Sequence, residues 1–118
     1  MKIISESNNY LIMNEYENVF LKIKKTSQMI FIGDFYGDPE IALISANEKY
    51  CIIGGAGVII YYLNEPFEEY KYAPSEQWKD WGRGDLDSTT WVNNIVLLDH
   101  DHIEIETEDE QKVILDVY

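Results

Sequence analysis

Residues 50–63 read Tyr-Cys-Ile-Ile-Gly-Gly-Ala-Gly-Val-Ile-Ile-Tyr-Tyr-Leu, the most apolar stretch of the chain. Two runs of β-branched and aromatic residues flank four small ones. That pattern predicts a buried β-hairpin closed by a tight glycine turn. Its second strand carries Val58, Ile60 and Tyr62 on one face and Ile59, Tyr61 and Leu63 on the other. A strand that is apolar on both faces is central and needs cover from both sides. The glycines do not make a phosphate cradle. A P-loop ends in Gly-Lys-Ser/Thr and opens a helix, whereas Val58 begins a strand. Gly54-Gly-Ala-Gly57 is read as a turn that needs positive φ. Cys51, the one cysteine, lies inside the first apolar run and reads as a small buried hydrophobe.

Shorter strands surround this hairpin in two further meanders. Before it, Tyr10-Leu-Ile-Met13, Val19-Phe-Leu-Lys-Ile-Lys24 and Met29-Ile-Phe-Ile-Gly-Asp-Phe35 alternate with polar turns. Val19, Leu21 and Ile23 share one face, as in a half-buried strand. Tyr36-Gly-Asp-Pro39 breaks the pattern, and Glu40-Ile-Ala-Leu-Ile-Ser45 opens the meander that contains the hairpin. The third meander has strands at Asn94-Ile-Val-Leu-Leu98, His102-Ile-Glu-Ile-Glu106 and Lys112-Val-Ile-Leu-Asp-Val-Tyr118. Its strand–turn–strand order repeats that of the second, as shared meander patterning does without duplication. The run 44–63 resembles part of a β-propeller blade, but 118 residues are too few to close four such blades.

Residues 64–91 interrupt the meanders and hold all three tryptophans, Trp78, Trp81 and Trp91. Within them, Phe67-Glu-Glu-Tyr-Lys-Tyr72 predicts a short strand, and residues 74–81 a short helical turn with Ser75 as its cap. The expected fold is all-β and mainly antiparallel. Three β-meanders form a sandwich or partly open barrel with one short helical insertion, in a single domain spanning residues 1–118.

The net charge of −13 weighs against nucleic acid and anionic membrane surfaces as partners and favours a basic one. No apolar run approaches the ~18 residues of a membrane helix. The first residues lack the apolar core of a signal peptide. With one cysteine, these features predict a cytoplasmic location.

Chemistry-bearing constellations are few. Asp99-His-Asp-His102 alternates carboxylates with imidazoles, but a metal site needs three or four converging ligands and there is no third histidine. Glu104 and Glu106 share a strand face, with nothing to set them apart as acid and base. No nucleophile elbow is present, and Cys51 is mid-strand. The expectation is a protein that is not an enzyme and has no cofactor or metal.

Charge is the more informative feature. From residue 85 onward there are ten acids against Lys112 alone. The preceding segment supplies aromatic rings. Aromatic anchors beside an acidic field suit capture of a basic protein. The candidate contact residues are Tyr70, Tyr72, Trp78, Trp81, Asp85, Asp87, Glu104, Glu106, Glu108, Asp109 and Glu110. The alternative is a β-module that binds a small molecule or glycan, stacking a sugar on Trp78 or Trp81.

In its small size, acidity, aromatic content and β-richness, the chain resembles the immunity proteins of bacterial polymorphic-toxin and contact-dependent inhibition systems. The local pieces that suggest this are Phe35-Tyr-Gly-Asp-Pro39, Gly54-Gly-Ala-Gly-Val-Ile-Ile-Tyr-Tyr62 and Trp91-Val-Asn-Asn-Ile95. The resemblance implies a role, namely binding and neutralising one cognate basic toxin domain, often a nuclease. It transfers no individual residue.

Overall fold

The computed structural model describes residues 1–39 and 41–118; Glu40, placed at the start of the second meander, lies outside them. The described residues form three antiparallel sheets and no helix. The first sheet holds β1 (Lys2–Glu6), β2 (Tyr10–Glu15), β3 (Asn18–Ile23) and β4 (Met29–Asp34) in chain order. The second holds β5 (Ile41–Ile44), β6 (Tyr50–Gly55), β7 (Gly57–Tyr62) and β8 (Trp78–Trp81), also in chain order. The third holds β9 (Val92–Leu97), β10 (His102–Thr107) and β11 (Lys112–Asp116), with β10 in the middle.

The hairpin at 50–63 lies in the central layer. Cys51, Ile53, Ile59 and Tyr61 pack with Ile12, Leu21, Ile30 and Ile32 of the first sheet. Tyr50, Ile52, Val58 and Ile60, on the opposite face, pack with Ile95, Ile103, Ile105 and Val117 of the third. The second sheet is therefore covered on both sides, as the two-faced apolar pattern of β7 requires. Glycine lets the layers close. A Cβ on Gly54 would sit 2.7 Å from Ile95 Cδ1. Gly57 has φ +83° and opens β7 from the left-handed region, whereas Gly54 and Gly55 pair with Val58 and Gly57 inside the ladder, so the turn expected over 54–57 narrows to Ala56.

Three sequence expectations need correction. The chain opens with a strand, β1, that pairs with β2 and extends the first meander to four strands. Residues 67–72 form no strand. They run along the outer edge of β4, where the Tyr70 amide donates to Phe31 O (2.9 Å). The Phe31 amide donates in turn to the Glu69 carboxylate (2.8 Å). This covers an edge that would otherwise expose unpaired backbone groups.

The helical turn expected at 74–81 is instead β8. The i, i+3 spacing of Trp78 and Trp81 reads as one helix face, but in a strand it puts the two rings on opposite faces. Trp78 pairs with Tyr61 toward the first sheet, and Trp81 with Val58 toward the third. The open edge of β7 offers a backbone ladder, and each tryptophan gains a separate core. Together these outweigh one unsupported helical turn. Ser75 does act as a local cap, accepting the Gln77 amide at 3.0 Å, but no helix follows it.

Candidate functional site

The candidate contact residues fall into two separate places. The first is a cleft of about 620 Å³ beside β8, lined by Tyr70, Tyr72, Pro74, Trp78, Lys79, Asp80 and Arg83. Trp78 is buried, stacks on Tyr61 at 6.5 Å between centroids, and donates its indole N–H to Ala73 O (3.1 Å). Tyr70 is buried as well, and its hydroxyl donates to Asp80 Oδ1 (2.9 Å). Burial, reinforced by Asp80, pushes the Tyr70 phenol far above its usual range. Tyr72 differs in being 77% exposed, with its hydroxyl turned inward to donate to Asp34 Oδ1. Shelter of that hydroxyl end and the bond to Asp34 push its phenol up to about 12. Both phenols are thus neutral hydrogen-bond donors near pH 7.

Arg83 organises this cleft, and the search for contact residues by sequence missed it. Its guanidinium lies 4.5 Å from the Phe35 ring centroid and 5.9 Å from that of Tyr70. It donates to Ala56 O (3.2 Å) and Asp34 O (2.5 Å) and pairs with Asp80 (3.5 Å) and Asp34 (3.6 Å). The available signal was a lone arginine set between two glycines in a strongly acidic chain.

Trp81 does not join the cleft, because it packs toward the third sheet. Asp85 is used within its own loop, where it accepts from Ser88 Oγ (2.9 Å) and from the Ser88 and Asp87 amides. Those bonds hold its carboxyl below the usual carboxylate range. Asp87 is exposed in the same loop.

The second place is the outer face of the third sheet. The cross-strand row Val96–Glu104–Ile114 lies beside the row Asn94–Glu106–Lys112 and the pair His102–Asp116. Glu104 and Glu106 do share a face. Val96 and Ile114 flank Glu104 and are 45% and 63% exposed. Glu108, Asp109 and Glu110 cluster in the turn after β10, and Lys112 stands 3.7 Å from Glu104. This face looks away from the second sheet, whereas Tyr70 and Trp78 lie between the first and second. Sheets stack ~10 Å apart, so the acids and the aromatic anchors do not form one surface.

At the β9–β10 turn, His102 is held from both sides. Nδ1 is 2.8 Å from Asp99 Oδ1, and Nε2 is 3.2 Å from Asp116 Oδ1. The hydrogen bond and charge of Asp99 raise the imidazole pKa above 6.5. The Asp101 amide and His102 lower that of Asp99. The imidazolium is thus occupied by two carboxylates. Among the described residues, no group of three or more His, Cys, Asp and Glu side chains is arranged to hold a metal. The sign of the pH effect follows. The raised histidine pKa stabilises the turn below the unfolded value, and this is lost as pH rises through the folded one. The lowered Asp99 pKa stabilises it above the unfolded carboxyl value, and this is lost as pH falls through the folded one. An NMR titration should place the His102 midpoint above 6.5. Asp99→Asn should bring His102 down; no change would remove Asp99 as the cause.

No protein-family model, curated protein or solved structure matches the chain.

Proposed function

We propose that this chain is a protein-binding module for a basic partner, an inhibitor of the immunity-protein kind that occupies a toxin domain. The observation that carries this reading is the outer face of the third sheet. Exposed Val96 and Ile114 offer apolar contact at its centre, and Glu104, Glu106, Asp116 and the acidic turn surround them. Apolar contact supplies affinity, while the carboxylates steer a basic surface onto the face and reject acidic competitors. The chain's ten acids against one lysine from residue 85 onward set the sign of that field.

The test is affinity capture from the source organism, followed by reconstitution with the purified captured protein. Glu104→Lys with Glu106→Lys should slow association by about tenfold or more and flatten its salt dependence. An unchanged rate and affinity would exclude this face.

A second reading attaches to the cleft. Tyr72 presents an exposed ring in a cleft that the polar side chains of Asp80 and Arg83 also line, a combination suited to stacking a sugar. Thermal stabilisation by a glycan, abolished by Tyr72→Ala, with no protein captured, would favour it over the first.

A further inference from the structure

We propose that the free edge of β8 takes up an extended, basic segment of another protein as an added strand. The cleft described above is lined by Trp78, Lys79 and Asp80 in succession. Neighbouring side chains of a strand point to opposite faces, so a cleft that touches all three meets the strand at its edge. The register of β7 and β8 fixes what that edge presents. Tyr62 N donates to Gln77 O at 2.8 Å, which makes 62–77 a hydrogen-bonded pair. Alternation along an antiparallel ladder then turns the amides and carbonyls of Lys79 and Trp81 toward β7, and those of Trp78 and Asp80 away from it. Gly82, next in the outward series, has the same phase, and its carbonyl accepts from Thr90 N at 2.7 Å. Among the described residues, nothing bonds the outward amides and carbonyls of Trp78 and Asp80.

The edge therefore offers two donors and two acceptors at strand spacing, and an extended backbone is the ligand that matches all four. The edge of β4 makes the contrast. Glu69 and Tyr70 cover it, and the chain beyond them lines the cleft at β8 without bonding to that strand's edge. Charge and ring chemistry select the occupant. Lys79 Nζ is engaged with Asp116 O at 2.8 Å, and Arg83 lies between Asp34 and Asp80. Neither cation is free to draw an anionic segment, and the chain's net charge of −13 repels one. A second copy carries the same charge and is disfavoured for the same reason. The ring of Tyr72, 77% exposed beside this edge, is open to cation–π contact with a lysine or arginine side chain. A strand bound here leaves the outer face of the third sheet free, so the proposal does not depend on the function given to that face. A sugar stacked on Tyr72 would need the same cleft but not the backbone of β8.

The probe is the blocked peptide acetyl-Lys-Val-Lys-Val-Lys-Val-Lys-amide, titrated into the isotope-labelled chain and followed by NMR. A dissociation constant on the order of 100 μM is expected for so short an edge. In the free chain the amides of Trp78 and Asp80 should exchange with solvent quickly and those of Lys79 and Trp81 slowly. Peptide at about 1 mM should slow the first pair about tenfold. Replacing every lysine of the peptide by glutamate should abolish binding. N-methylation of its internal residues should weaken binding by about tenfold or more, because the backbone donors are gone. Tyr72→Ala, at an exposed position, should weaken it about threefold. A methylated peptide that binds as well would overturn the proposal, since side-chain contact alone then suffices. So would equal binding of the glutamate peptide, or no response at all. Shifts confined to the third sheet would also overturn it, as ion pairing with the acids there. Slow exchange of the Trp78 and Asp80 amides without peptide, increasing with protein concentration, would place a second copy on the edge instead.

Discussion

Arg83→Ala should lower the free energy of unfolding by about 3 kcal/mol, a large effect for a side chain at the surface of a cleft. The side chain is only 14% exposed. Its guanidinium ties two parts of the second sheet to the end of the first. The contacts are with the hairpin tip through Ala56 O, the end of β4 through Asp34, and β8 through Asp80. The two ion pairs alone would justify little, since Asp34 and Asp80 are 33% and 36% exposed and solvent screens them. Most of the effect comes from two carbonyls left without a donor and from the lost packing on Phe35. Arg83→Lys should recover little of it, because an ammonium cannot reproduce the planar fork. Urea unfolding measures both. A loss below about 1 kcal/mol for the alanine variant would show that the cleft does not depend on this residue.

The same residue shows where sequence reasoning reaches its limit. The hairpin, the two-sided cover of β7 and the third meander were legible, because each follows from a local period of two in side-chain character. Glu104 and Glu106 were placed on one face for the same reason. The strand at 78–81 was not legible. Its four residues fit either period, and the choice was made by the distant open edge of β7. Arg83 was missed for a related reason. Its partners Asp34 and Ala56 lie 49 and 27 residues away, and no local pattern marks them. The eleven candidate contact residues were grouped by nearness in sequence. The fold separates them because β8 belongs to the central sheet and β10 to an outer one. Ile114 was open to a closer reading: it is apolar on the side of β11 that Val113, Leu115 and Val117 do not use.

Gly57→Ala should cost about 3 kcal/mol, although it adds a single methyl group. Two terms contribute. With φ at +83°, any L side chain is strained by about 1 kcal/mol. The added Cβ would also lie 2.5 Å from Arg83 Cγ and 3.0 Å from the carbonyl oxygens of Trp81 and Gly82. The backbone there is fixed from the other side, since the Gly57 amide donates to Thr90 O at 2.8 Å. The chain contains its own control. Gly37 has φ +73°, but nothing lies within 4 Å of the position a Cβ would take. Gly37→Ala should therefore cost only the conformational term, about 1 kcal/mol. The difference between the two isolates the steric part. That part should fall when Gly57→Ala is made together with Arg83→Ala, because the nearest obstructing atom is then gone while the carbonyls remain. Equal losses at Gly57 and Gly37 would mean that the turn requires only backbone freedom. A larger loss at Gly57, partly relieved by Arg83→Ala, would show that the glycine is needed for the close approach of Arg83 to the hairpin tip, the contact on which the cleft is built.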